Sequence, residues 1–182
     1  SVMQYYFASR EALVEAILEL RARPADRIRA AMLAAMREAA GDRPLAPEEI
    51  ARAMVEPMAS HLRGARPGHF IRLCAQIWHD RPVWRHVDAG PHARSLAECR
   101  EALAEARPDL PPALLRQRYG LAFQTQVSGL GRLEQVREAT GDAWDPQLAE
   151  AQIAAVGDAV TAVLSAPVSV RTLAAMRRAG MG

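Results

Sequence analysis

Hydrophobic residues recur along this chain at the three- and four-residue spacing of an α-helix, and no stretch alternates apolar and polar residues as a half-buried strand would. The first helical run follows Ser9, a residue suited to the N-cap position. The apolar positions of this run are Leu13, Val14, Ile17 and Leu18. We predict that Pro24 ends this helix, because a proline has no amide proton and crowds the preceding turn.

Glycines, prolines and capping residues set the boundaries of the next helices. A second helix is predicted to stop at Gly41, because glycine readily adopts the left-handed conformation that follows a helix. A third is predicted to begin at Pro47 and to close at Gly64. Two more are predicted over about residues 68–81 and 91–107.

Two longer helices are predicted near the end of the chain, over about residues 111–138 and 146–164. The start of the second is well marked, because Asp145 can cap it and Pro146 can take its first position. A short helix is expected after Pro167. The pattern therefore predicts one all-α domain, a helical bundle of about eight helices joined by short connections.

Composition narrows the class of protein. Half of the 182 residues are hydrophobic, which allows a sizeable core, and the formal net charge of +2 does not by itself indicate a nucleic-acid binder. The absence of lysine and asparagine is typical of a GC-rich genome, and a bacterial origin is expected. Cys74 and Cys99 are expected to be buried free thiols in a cytoplasmic protein. No apolar run approaches the ~20 residues that a membrane span needs, so no membrane partner is expected.

The first residues, "SVMQYYFASREALVEAIL", place an aromatic cluster directly before an amphipathic helix. This segment resembles the end of the helix-turn-helix in TetR-type (tetracycline-repressor-like) transcriptional regulators, followed by the helix that joins the DNA-binding head to the body. The matching residues are Tyr5, Tyr6, Phe7, Ser9, Arg10, Glu11 and Leu13. The resemblance covers about a dozen residues, and the rest of the chain agrees with the family in architecture only.

The resemblance implies that residues 1–8 are the remnant of a helix-turn-helix and that residues 9–182 are a ligand-binding and dimerisation domain. It also implies that Gln4, Tyr5, Tyr6 and Arg10 contact the DNA backbone in the complete protein, because hydroxyl and guanidinium groups there can donate to phosphate oxygens. Arg10 stands where members of the family commonly have a lysine. Tyr6 stands where they commonly have a histidine. Packing of both tyrosines in a helical corner remains the alternative.

A ligand pocket is predicted where Pro57 should kink the third helix and open a gap against the fourth. The residues assigned to it are Met54, Met58, His61, Phe70, Cys74, Ile77, Trp78 and Phe123. Such a wall is mostly apolar with a few polar points, which is typical of a site for a small and largely apolar effector. An ordinary packed core is the alternative for the methionines.

The last two long helices carry many small residues, which suit close helix–helix contact. In the resembled family, the corresponding helices pair across a two-fold axis, so the resemblance implies a homodimer. The interface residues assigned are Gly120, Ser128, Ala155, Val156, Ala159 and Val160. Packing of the same small faces within one chain is the alternative.

Catalytic and metal-binding chemistry has little support in the sequence. The segment around His79, Asp80, His86, Asp88 and His92 lacks the His-x-x-x-His spacing that puts two imidazoles on one helix face. We therefore expect no catalytic residue, no cofactor and no metal.

The predicted function is a ligand-responsive, DNA-binding transcriptional regulator of the cytoplasm, with repression as the expected mode. Its partners would be operator DNA, a small-molecule effector and a second copy; a ligand-sensing module without DNA binding and a helical enzyme remain the alternatives.

Overall fold

The computed structural model describes residues 9–64, 68–79 and 93–180. Seven α-helices lie within these ranges: α1 (Arg10–Ala40), α2 (Pro47–Ala59), α3 (Phe70–His79), α4 (Arg94–Ala106), α5 (Pro112–Thr140), α6 (Pro146–Ser165) and α7 (Val170–Arg178). Two short 3₁₀ turns, η1 (Ser60–Leu62) and η2 (Gly141–Ala143), follow α2 and α5. The described part of the chain contains no strand, and the predicted all-α fold class is confirmed.

Pro24 lies inside α1, so the predicted break at this residue is wrong. A proline leaves the carbonyl four residues earlier without its helical donor, and here that carbonyl belongs to Leu20. Leu20 is 69% exposed and Pro24 is exposed as well, so this side of the helix faces solvent. Water can donate a hydrogen bond to the Leu20 carbonyl there, so the helix runs through Pro24 and has 31 residues in all.

Capping residues set most other boundaries as expected. The Ser9 side chain accepts a hydrogen bond of 3.1 Å from the amide of Ala12 at the start of α1, and Gly41 ends that helix with φ of 60°. At the start of α6, the Asp145 carboxylate accepts from the amides of Gln147 and Leu148. Asp80 and the segment "VWRHV" lie outside the described residues.

Helix α2 is the centre of the bundle. It packs against α1, α4, α5 and α6, and eight of its 13 residues are buried. The long helix α5 packs in turn against α3 and α6. This arrangement brings the first half of α1, the end of α2, α3 and the middle of α5 around one apolar region.

Helix α2 runs through Pro57 and tightens into η1 at Ser60. Because Pro57 has no amide proton, the carbonyl of Ala53 lacks its helical donor. The Nε atom of Arg29 on α1 donates to that carbonyl at 3.1 Å, and Nε2 of Gln126 on α5 donates to the next carbonyl, of Met54, at 3.0 Å. Two buried polar side chains from neighbouring helices therefore donate hydrogen bonds to backbone carbonyls in the turn before this proline.

Candidate ligand site and interface

A small inner cavity of about 40 Å³ lies where α1, α2, α3, α4 and α5 meet. Five of the predicted pocket residues line it: Met58, Phe70, Cys74, Ile77 and Phe123. The α1 side is formed by Leu18, Ala22, Ala25 and Arg29. The described lining is therefore apolar apart from one arginine, and the cavity volume is far below the roughly 300 Å³ at which small-molecule pockets begin.

An open cleft of about 1410 Å³ lies next to this cavity, between α1, η1, α3 and α5. Phe70 lines both spaces, so its ring is part of the wall between them. The predicted pocket residue His61 lines the cleft and packs against Phe70, with ring centroids 4.7 Å apart and ring planes inclined at 47°. The two spaces adjoin at Phe70, and the cleft has the volume for a small molecule.

The other two predicted pocket residues differ in position. Trp78 lies beside the cavity, with its ring centroid 4.9 Å from that of Phe123. Met54 is fully buried and lines neither the cavity nor the cleft, so its assignment to the pocket is corrected. It faces the packed core because α2 is surrounded by other helices along this stretch.

Arg29 is the charged group of the cavity wall, and the sequence reasoning missed it. It is 2% exposed, and its Nη1 atom donates to the hydroxyl oxygen of Ser95 at 3.0 Å. The carboxylate of Asp26 lies 3.8 Å from Nη1 and itself accepts hydrogen bonds from the amide and the hydroxyl of Ser95. The available signal was its spacing, because position 29 continues the series of inward-facing positions 18, 22 and 25 of α1, of which Leu18 and Ala25 are buried and Ala22 is partly buried.

The two cysteines near this arginine are uncharged. Burial raises the pKa of the Cys74 thiol to about 12 and that of the Cys99 thiol to about 11. Both are free and buried, as expected. Neither thiol therefore supplies a negative charge that would balance Arg29 at neutral pH.

His61 is a neutral polar group at the edge of the cleft. Burial and, second, the positive charge of Arg21 lower the pKa of its imidazole below 6.5. Its Nε2 atom is buried and has no hydrogen-bond partner within the described part of the chain. The ring therefore offers an unused polar atom beside Phe70.

The predicted interface residues divide into outward and inward positions. Ser128 on α5 and Ala155 and Ala159 on α6 are exposed. One assignment is corrected: Val160 is fully buried within the chain, because it faces the other helices of the bundle. Gly120 is half-buried, and a Cβ atom there would lie 3.5 Å from the Trp78 ring, so its place in an interface stays a prediction.

Glycine at position 129 explains how α5 and α6 approach each other. A Cβ atom there would lie 2.8 Å from Cγ2 of Val156, which is closer than a side chain can come. Val156, assigned to the dimer interface, is half-buried against this glycine. Part of the small-residue pattern therefore serves packing within the chain, as the alternative interpretation held.

The exposed surface of α6 combines small apolar residues with the polar residues Gln147, Glu150, Gln152 and Asp158. Its exposed apolar residues are Leu148, Ala151, Ala154, Ala155, Ala159 and Ala162. Judged by length and composition alone, α6 is the one described helix that could cross a membrane, with a mean hydropathy of 1.3 over an 18-residue window. Only 22% of that window is buried, so most of this apolar helix is uncovered in the single chain.

The DNA-contact and metal expectations concern other parts of the chain. Gln4, Tyr5 and Tyr6 lie outside the described residues, and Arg10 is the first residue of α1. His86, Asp88 and His92 also lie outside them. Among the residues that are described, no group of three or more His, Cys, Asp or Glu side chains is placed to hold a metal ion.

Comparisons of the chain with protein-family models, curated proteins and solved structures return no match. The likeness to TetR-type regulators therefore rests on the residues quoted from its first helix and the segment before it.

Proposed function

We propose that this chain is the ligand-binding and dimerisation body of a TetR-type, ligand-responsive transcriptional regulator. The observation that carries the proposal is the continuity of α1. This helix begins at Arg10, next to the segment that resembles the end of a helix-turn-helix, and forms one wall of the inner cavity at Leu18, Ala22 and Arg29. A ligand in the cavity would therefore touch the helix that leads to the DNA-binding head.

The uncovered side of α6 supports a homodimer. An exposed apolar helix face of this length favours burial against a partner. Two-fold pairing places the same surface of each copy in contact, and small side chains allow close approach. A second copy of the chain is therefore the occupant that we assign to α6.

Regulation in this proposal depends on the distance between two heads. Two recognition helices must lie about 34–36 Å apart to enter successive major grooves of one DNA face. A ligand that fits one arrangement of α1 better than another shifts the population toward that arrangement, by no more than its difference in affinity for the two. Unliganded protein would bind the operator, and the ligand would release it.

The test uses the protein together with the coding region upstream of Ser1. We expect a helix-turn-helix pattern in that region, within about 40 residues, and selection of paired half-sites about 10 base pairs apart from random DNA. The Arg10→Ala variant should then weaken binding to all sequences alike and reduce the salt slope by about one, because one phosphate contact is lost.

Arg171→Ala on α7 is the matched control, since it removes the same charge from an exposed position near the other end of the chain. An upstream region without a helix-turn-helix pattern, or a complete protein that retains no DNA, would favour the ligand-sensing module instead. A change of preferred operator in Arg10→Ala, with the salt slope intact, would contradict backbone contact.

A further inference from the structure

We propose that the inner cavity recognises a carboxylate, and that Arg29 binds it, so that the effector is a small organic acid with an apolar body. This inference rests on the proposed ligand site and adds the chemical class of the ligand. Three features of Arg29 carry it: its position in the cavity wall and, among the described residues, a hydrogen-bonding atom without a partner and a charge that is incompletely balanced.

Among the described lining residues, Arg29 is the one with an ionised side chain, and the others are hydrocarbon, sulfur and aromatic. It is 2% exposed, so water does not solvate its charge as it would at the surface. Its Nε atom is used by the carbonyl of Ala53 and its Nη1 atom by the hydroxyl of Ser95. Its Nη2 atom makes no hydrogen bond to any of the described residues.

Among the described residues, the charge of Arg29 is only partly balanced. A buried charge is costly unless it is paired and hydrogen-bonded. The carboxylate of Asp26 is 3.8 Å away, beyond hydrogen-bond distance, and is held by two bonds from Ser95. The protonated thiols of Cys74 and Cys99 add no negative charge. A ligand carboxylate could bond to Nη2 and complete the balance.

The dimensions of the two spaces fit an acid group and an apolar body. The inner cavity of about 40 Å³ holds only a few atoms, since a single water needs roughly 10–15 Å³ measured in this way. A carboxylate is of that size. The body of the ligand would lie against Met58 and Phe70, and turning of the Phe70 ring would join the cavity to the cleft of about 1410 Å³.

Arg29 also joins three helices, because it bonds to Ala53 on α2 and to Ser95 on α4. A purely structural arginine would explain those two bonds. It would not make the cavity prefer an anion over a neutral molecule of the same shape. The test therefore compares an acid with its amide and does not rely on loss of binding alone.

The experiment titrates the chain with octanoate and, separately, with octanamide at neutral pH by calorimetry. We expect octanoate to bind about tenfold more tightly, because hydrogen bonds to an ionised partner are the stronger ones. In Arg29→Gln the two affinities should agree within about twofold. Arg132→Gln, which removes an exposed arginine from the open cleft, is the matched control and should keep the preference.

A second variant covers the case in which Arg29→Gln does not fold. Asp26→Asn keeps the guanidinium and removes the competing carboxylate, so it should tighten octanoate binding several-fold and leave octanamide unchanged. Equal affinities for the two probes in the unmodified chain, no binding of either, a preference that survives Arg29→Gln, or equal changes in Asp26→Asn would each overturn the carboxylate site. Equal binding of both probes would leave the proposed regulator in place, because that proposal is tested by DNA binding.

Discussion

The Nε atom of Arg29 donates a hydrogen bond of 3.1 Å to the carbonyl of Ala53, the carbonyl that Pro57 leaves without a helical donor. A side chain from α1 thus replaces a missing backbone bond in α2. The relationship explains why a charged residue lies in the core, and it makes the contributions of residues 29 and 57 to stability interdependent.

A double-mutant cycle measures this interdependence. Arg29→Met should lower the free energy of unfolding by about 1–3 kcal/mol, because the buried carbonyl of Ala53 loses its donor. In a Pro57→Ala background the loss should be smaller by about 1 kcal/mol, since residue 57 then supplies an amide for the same carbonyl. Urea denaturation of the four proteins gives the coupling, and strictly additive losses would contradict the proposed exchange of donors.

Gly129 should tolerate no side chain. Gly129→Ala should lower the free energy of unfolding by about 1–3 kcal/mol, because the new Cβ would lie 2.8 Å from Cγ2 of Val156. The matched control is Gly131→Ala on the same helix. Its Cβ would lie 3.5 Å from Cγ of Arg72, an ordinary contact with a flexible side chain. Thermal unfolding should therefore show that Gly131→Ala is at least as stable as the parent. The gain in the free energy of unfolding could reach about 1 kcal/mol, because alanine favours the helix more than glycine does.

Ala159 tests the assigned dimer. Ala159→Arg should shift the protein to monomer, because an unpaired charge in a buried contact costs about 3–5 kcal/mol. Ala34→Arg, at an exposed position of α1, should leave the dimer intact. Sedimentation measures both, with helicity checked by circular dichroism. A dimer that survives Ala159→Arg would place the interface elsewhere.

His61 should make stability depend on pH on the acid side. Its pKa is lower in the folded chain than the ordinary 6.5, so the folded state binds fewer protons than the unfolded state. Its contribution is therefore fully present above pH 6.5 and is lost as the pH falls through the lower, folded value. His61→Phe should lose less stability than the parent between neutral and mildly acid pH in denaturation experiments. Parallel curves for the two proteins would show that His61 is not the titrating group.

Local signals predicted the helices well, because capping and glycine chemistry act within a few residues. Ser9, Gly41 and Asp145 mark ends that the structure retains. Pro24 misled the prediction, because the cost of a proline depends on whether water reaches the released carbonyl, and that is a property of the fold. The wrongly predicted helix end at Pro24 is also the reason why Arg29 was missed. Its position on the inward-facing side of α1 can be recognised only when residues 18 to 29 are treated as one helix.

The sequence grouped residues that lie close together in the fold, because five of the eight predicted pocket residues line one cavity. Ligand binding there stays a prediction. The interface was harder to predict, because a small residue indicates close approach without indicating the partner. Gly129 approaches Val156 of its own chain, whereas a Cβ atom at Gly157 would meet nothing within 4 Å. Only the packed bundle distinguishes these two glycines of neighbouring helices.

The bond between Arg29 and Ala53 has a consequence for how this protein can evolve. A lineage that loses Pro57 regains a backbone amide at position 57. That amide can donate to the carbonyl of Ala53, so the hydrogen bond from Arg29 is no longer needed. A lineage that loses Arg29 while Pro57 is still present leaves the buried carbonyl of Ala53 without a hydrogen-bond donor. Loss of Arg29 before loss of Pro57 is therefore disfavoured. Related sequences should therefore show arginine at position 29 wherever proline stands at position 57, and a freer choice of residue where it does not.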